Sequence, residues 1–185
     1  MSHHFIELPD GYKMRMRIMH AVDRPIREMT VEAICEKAGV SRQTFYNHFP
    51  SRRDLALWYS SFCDEHTLHE IGRSMTWREG FEAYFELLRR EKAFLGYTLD
   101  RMEQRREERL TAAARVESHL HGAVEERGVR IDPEMGFYLR AFSGLFVSAV
   151  SDWLNSGMSK DPATMARYVE ACVPAKLHSA LEPDA

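Results

Sequence analysis

The chain has 185 residues, 44% hydrophobic and 29% charged, a balance that suits a folded globular protein and excludes a disordered one. Its net charge of −3 is unevenly spread: residues 1–55 hold nine Lys/Arg against seven Asp/Glu (+2), and the rest hold sixteen against twenty-one (−5). A mildly basic head on an acidic body permits a polyanionic partner at the N-terminal end only. No apolar run approaches the roughly eighteen residues of a membrane span. Met1-Ser2-His3-His4 lacks the basic-then-apolar pattern of a secretion signal. Cys35, Cys63 and Cys172, without C-x-x-C spacing, point to reduced thiols in a cytoplasmic protein, not to a disulfide framework or zinc site.

Periodicity and punctuation predict helix throughout, with no alternating strand pattern. Pro9-Asp10 opens a first helix running to Val22, which Asp23-Arg24-Pro25 interrupts. Thr30 is placed to cap a helix over Val31–Ala38, with Val31, Ile34, Cys35 and Ala38 on its apolar face. Gly39 stands where a left-handed cap is wanted, Ser41 caps the next helix, and Pro50 closes it. Ser51 starts another helix with Asp54 in capping-box position, and Thr76-Trp77-Arg78-Glu79 repeats that signal. Gly128 ends a charged helix from about Glu107; Asp132-Pro133 and Asp161-Pro162 each open a further one, with Gly157 between them. The expectation is an all-α protein of about nine helices. A three-helix helix-turn-helix head (1–51) precedes an antiparallel helical body (52–185).

The stretch Thr30–Phe49 is the most informative. Two short helices joined by a tight Gly-containing turn are what a helix-turn-helix requires. Phe45 and Phe49, four apart, share the face that must be buried, so Gln43, Thr44, Tyr46 and Asn47 point outward with Arg42 in the first turn. A solvated face would favour Glu and Lys; a surface of Arg, amides and hydroxyls suits a helix lying in the major groove of DNA.

This block resembles the TetR family of bacterial transcription regulators. The likeness lies in Thr-Val at 30–31, Ala-Gly-Val-Ser at 38–41, Thr-Phe-Tyr-x-His-Phe at 44–49, and a basic residue, Arg52, where that family usually has Lys. Arg24-Pro25-Ile26, Asp54-Leu55-Ala56-Leu57-Trp58, Phe142-x-Gly144-Leu145 and Asp152-Trp153-Leu154-x-x-Gly157 are similar to the subgroup of dihydroxyacetone kinase operon regulators. The resemblance implies a non-enzymatic regulator, a repressor, that binds double-stranded operator DNA as a homodimer. It makes Arg42 and Gln43 base readers and Thr44, Tyr46, His48 and Arg52 backbone contacts, with Thr30 and Ser41 also among the DNA-binding residues. Asn47 faces the groove with a role that varies. Packing against neighbouring helices is the alternative for Tyr46 and His48.

The family also implies a small apolar or aromatic effector, for which Phe62, His66, Phe81, Tyr84, Phe85 and Tyr97 are candidate pocket residues. Ordinary helical core is the competing explanation at this spacing. The segment Met135–Leu154 is apolar nearly all round, and so must be buried on nearly all sides. It suggests one face on its own body and another on a second copy, with Phe142, Leu145, Phe146, Ala149, Trp153 and Tyr168 as interface candidates; a wholly intrachain core helix is the alternative. Gly136 and Gly144 fit a close backbone approach there. His66/His69 and His119/His121 lack metalloenzyme spacing, and no phosphate loop or nucleophile elbow is present, so neither enzyme, metal nor cofactor is expected. A helical adaptor that keeps the head without binding DNA is the competing function; the intact Arg42-Gln43-Thr44-x-Tyr46 argues against it.

Overall fold

The computed structural model describes residues 10–98 and 105–182, so Pro9, Met102 and the last three residues lie outside it. Among the described residues there are ten α-helices and no strand. They form two compact units: residues 10–59 with 93–98, and residues 60–92 with 105–182.

The first unit holds α1 (Asp10–His20), α2 (Val31–Ala38), α3 (Arg42–His48), the start of α4 (Asp54–His66), and α6 (Lys92–Thr98) from Ala93 onward. The termini of α2 and α3 are set by local chemistry. The Thr30 hydroxyl accepts from the Ala33 amide (3.2 Å) and the Ser41 hydroxyl from the Thr44 amide (2.9 Å). Gly39 adopts φ 62°, ψ 42°, and the paired bonds Gly39 N–H to Glu36 O and Val40 N–H to Cys35 O close α2 as a Schellman motif. Around this turn Ile18, Met19, Met29, Ile34, Phe45, Phe49 and Leu55 are sealed from solvent. The expected start of α4 at Ser51 is corrected to Asp54: the Ser51 hydroxyl donates to the Asp54 carboxylate (2.7 Å), and residues 51–53 form a turn before α-helical bonding begins.

The second unit is built on α5 (Trp77–Arg90), α7 (Arg105–Glu126), α8 (Pro133–Asn155), α9 (Pro162–Glu170) and α10 (Ala175–Leu181), with the end of α4 and a 3-10 turn at Leu68–Glu70. Both halves of the Thr76/Glu79 capping box form, and Asp132 and Asp161 cap α8 and α9 ahead of their prolines. The stripe Trp77, Phe81, Phe85 on α5 meets Phe142, Phe146 and Trp153 on α8. Ring centroids lie 5.8 Å apart for Trp77–Phe142, 5.5 Å for Phe81–Phe146 and 5.1 Å for Phe85–Trp153. Each indole N–H is satisfied by a carbonyl, Trp77 by His178 O (3.1 Å) and Trp153 by Lys160 O (2.9 Å). Gly80 lets α5 approach the 67–71 turn closely, since a Cβ there would collide with the buried Ile71 side chain. Ten helices stand where about nine were expected; the break at Glu91 between α5 and α6 is marked by neither Gly nor Pro.

One charge is buried in this unit. Asp64 is 1% exposed and ion-pairs with Arg115 (2.9 Å), which also donates to the Ser60 hydroxyl (2.8 Å). Burial outweighs the attraction of Arg115 and pushes the carboxyl up to about 6. Between the usual carboxylate range and pH 6 the folded chain therefore binds a proton at Asp64 that the unfolded chain has lost, so this group favours folding less as pH rises. Replacing it by Asn should remove that component. Denaturation of wild type and Asp64→Asn from pH 4.5 to 7.5 should show wild-type stability, relative to the variant, falling as pH rises. A second expectation is that Gly80→Ala destabilises by about 1–3 kcal/mol in the same assay, because an overpacked crossing must open.

Candidate nucleic-acid interface

Burial of Phe45 (0% exposed) and Phe49 (1%) fixes the rotation of α3, with their ring centroids 5.9 Å apart and Phe49 also 5.8 Å from Trp58. The opposite face carries Arg42, Gln43, Tyr46 and Asn47, all exposed, with Thr44 and His48 half-buried at its edges. Tyr46 stands edge-on to Phe45 at 5.5 Å and remains 45% exposed, so it both packs and presents its hydroxyl. Thr30 and Ser41, both exposed, spend side-chain lone pairs on caps; the Ser41 hydroxyl also lies 2.9 Å from that of Thr44.

The exposed side chains are ordered by one another. Gln43 Nε2 donates to Asn47 Oδ1 at 2.9 Å, one turn along the same face. Arg42 Nη1 pairs with Glu32 Oε1 at 2.7 Å, reaching from the first turn of α3 to the first turn of α2. A backbone hydrogen bond at Glu32 itself, then the Arg42 charge, holds the Glu32 carboxyl below the usual range. Sequence reading missed Glu32 because the pairing depends on how two helices cross.

Arg52 has a partner within the chain. It is half-buried, and its guanidinium donates to the carbonyl of Met29, the residue before the Thr30 cap. This ties the entry of α4 to the start of α2. Arg53 beside it is exposed. Arg15, which the sequence did not single out, lies over the Phe49 and Trp58 rings at 5.6 and 5.7 Å. Arg17 donates to Gly39 O (3.4 Å), and Lys37 pairs with Asp23.

The interface candidates separate into two groups. Phe142, Phe146 and Trp153 are covered by the body's own α5, whereas Leu145 (41% exposed), Ala149 and Tyr168 (49%) line a surface groove between α8 and α9 with Asp152, Met165 and Cys172. Phe137 (60% exposed), Ala141 and Gly144 continue the outward row on α8. A Cβ at Gly144 would meet nothing within 4 Å, so the close backbone approach expected there does not occur within the chain.

Of the pocket candidates, Phe62, Phe81, Tyr84 and Phe85 are buried and His66 half-buried in the body, while Tyr97 belongs to the first unit. Phe81, Tyr84 and Phe85 are in ring contact with Phe146, so they are core; His66 Nδ1 lies 2.8 Å from Phe62 O. Two histidines from the separate pairs His66/His69 and His119/His121 come together instead: the Nδ1 atoms of His69 and His119 lie 3.3 Å apart. Among the described residues no group of three or more His, Cys, Asp or Glu could hold a metal ion, and no helix is long and apolar enough to cross a membrane.

A seven-residue helix set by two buried rings, entered through a Schellman turn and presenting Arg, Gln and Asn outward, defines a helix-turn-helix DNA-binding domain. A family model described as bacterial regulatory proteins, tetR family, matches residues 20–57; a second, described as transcriptional regulator C-terminal region, matches residues 75–173, more than half of the chain. The chain belongs to the TetR family of transcriptional regulators. The TetR family repressor AlkX from a Dietzia species, implicated in biodegradation of n-alkanes, has a similar fold. Its crystal structure matches with a TM-score of 0.53 at 19% identity, covering 92% of this chain and 99% of that one. No curated protein gives a significant match. These comparisons support the family and not the narrower likeness to dihydroxyacetone kinase operon regulators.

Arg52→Ala should lower stability by about 1–3 kcal/mol, because it strips a partly buried carbonyl of its partner. Arg53→Ala should stay within about 0.5 kcal/mol of wild type. Chemical denaturation of the two variants side by side checks this.

Proposed function

We propose that the chain is a sequence-specific transcriptional repressor that binds operator DNA as a homodimer and is released or retained by a small effector. The observation that carries the DNA contact is the exposed Arg42–Gln43–Tyr46–Asn47 face on a helix whose other face is buried. Arg42 and Gln43 sit at the N-terminal end of α3, where a reading helix meets base edges, and Arg and Gln are suited to guanine and adenine respectively. Thr30, Ser41, Thr44, Tyr46 and His48 flank them as phosphate contacts, with Asn47 in the groove. Arg52 joins them as a backbone contact, placed by its hydrogen bond to the Met29 carbonyl beside the start of α2.

The homodimer reading rests on the outward apolar row of α8, Phe137, Ala141 and Leu145, alongside Tyr168 on α9. Together these are more apolar than an ordinary solvated helix face. Two copies related by a two-fold axis would cover it with a self-complementary patch. For the effector, Phe62 and His66 are the remaining candidates, because Phe81, Tyr84 and Phe85 are already engaged with α8. A ligand that favours one arrangement of the heads with a coupling of about 1–3 kcal/mol changes DNA affinity roughly five- to 150-fold.

A mobility-shift titration on the DNA upstream of the chain's own gene tests the reading. Wild type should retard it, and Arg42→Ala and Gln43→Ala should each weaken binding by about 1–3 kcal/mol while relaxing base preference at one position. Undiminished discrimination in the double variant would refute α3 as the reader. Sedimentation tests the dimer: wild type should be dimeric at micromolar concentration. Gly144→Leu, whose added Cβ meets nothing within 4 Å in a single chain, should shift it to folded monomer. Compounds that raise the melting temperature must also change DNA affinity if they are effectors, since coupling is reciprocal.

A further inference from the structure

We infer that Glu32 is a specificity-determining positioning residue, which holds Arg42 so that its guanidinium is available to a base edge and withheld from passing phosphates. The inference rests on the DNA-binding reading above and adds to it a residue on a different helix.

The Glu32–Arg42 contact is 2.7 Å, yet both side chains remain more than half exposed, at 56% and 61%. An ion pair so open to water contributes little to stability, so holding the fold together is a poor account of it. Its geometry offers a better one. A guanidinium presents five N–H donors in a rigid plane, and engaging Nη1 leaves the remaining donors in a fixed orientation. Two acceptors on one guanine edge match such a fork, whereas a phosphate can be met from many directions. Arg42 is the first residue of α3, and Glu32 fixes it from outside that helix. Gln43 is fixed in parallel by Asn47 (2.9 Å), so both prospective readers are ordered before any DNA arrives.

The carboxylate also acts on its own. A negative charge within reach of the sugar-phosphate backbone opposes every DNA encounter, cognate or not. That repulsion is common to all sequences, so by itself it lowers affinity without changing the ratio of cognate to other sites. Glu32 thus lowers affinity generally through its charge and raises discrimination through its hold on Arg42.

The test uses the full-length dimer and two duplexes: one enriched by wild type from a random library, and a scrambled duplex of the same length and composition. Glu32→Gln should bind the scrambled duplex more tightly, and the ratio of the two affinities should fall about tenfold, as for a lost base contact. Glu32→Asp keeps the charge and the first-turn acid but withdraws the carboxylate by one methylene. It should lose discrimination without gaining affinity for the scrambled duplex. Glu36→Gln removes an equal charge from the same helix and should leave the ratio unchanged. In an Arg42→Ala background, Glu32→Gln should no longer change the ratio. An enriched duplex with an unchanged ratio in both Glu32 variants overturns this inference alone. An equal fall in Glu36→Gln, or a fall that persists without Arg42, does the same by reducing the effect to bulk charge. Failure of wild type to enrich any duplex overturns the regulator reading and this inference with it.

Discussion

Phe45 lies within, and Phe49 directly caps, a helix of only seven residues, too short to persist in water by itself. Removing two phenyl rings from solvent contributes about 1.5–3 kcal/mol each, and that burial both holds α3 in place and decides how it is rotated. Once those rings are inward, helical geometry leaves Gln43, Tyr46 and Asn47 no option but to face out. The neighbouring parts of the head serve the same constraint: the Schellman turn at Gly39 sets the angle of approach, Trp58 closes on Phe49, and Arg15 lies over both rings. The presented surface is therefore a consequence of core packing, and changes in the core propagate to it directly.

The body solves a different problem. Its α8 is apolar around most of its circumference, and α7 and α5 together leave one side open. The sheltered side is an aromatic slab, Phe142, Phe146 and Trp153 against Trp77, Phe81 and Phe85. The unsheltered side keeps Phe137 and Leu145 in contact with solvent within a single chain. Placing a glycine, Gly144, on that open side has a helix-propensity cost of about 1 kcal/mol without relieving any clash inside the chain.

Helix ends were legible in the sequence where the signal is carried by adjacent atoms. Thr30, Ser41, Thr76, Asp132 and Asp161 each cap the helix they were expected to cap, because a hydroxyl or carboxylate needs only an amide three residues on. The start of α4 was misplaced by three residues because Ser51 and Asp54 pair with each other before the helix begins, and the Glu91 break carries no Gly or Pro to announce it. The types of side chain on the reading face were equally legible; their partners were not. Glu32 meets Arg42, and Arg52 meets the Met29 carbonyl, only through the crossing of helices ten or more residues apart. Nor does the pattern of an all-round apolar helix say which of its residues face its own core. Phe142 and Leu145, three apart, are equivalent in the pattern, yet one is sealed from solvent and the other, at the edge of the same face, is 41% exposed.

The cations of the head are largely answered from within the chain. Arg15 lies over two rings, Arg17 and Arg52 donate to carbonyls, Lys37 meets Asp23, and Arg42 meets Glu32. Hydrogen bonds and ring contacts do not cancel charge, so Arg15, Arg17 and Arg52 keep theirs, each fixed in place by the fold. Lys37 and Arg42 instead meet opposite charge, which weakens their field beyond the nearest neighbours. The positive outline of the head is thus drawn by its core packing, and exchanging a buried ring redraws it.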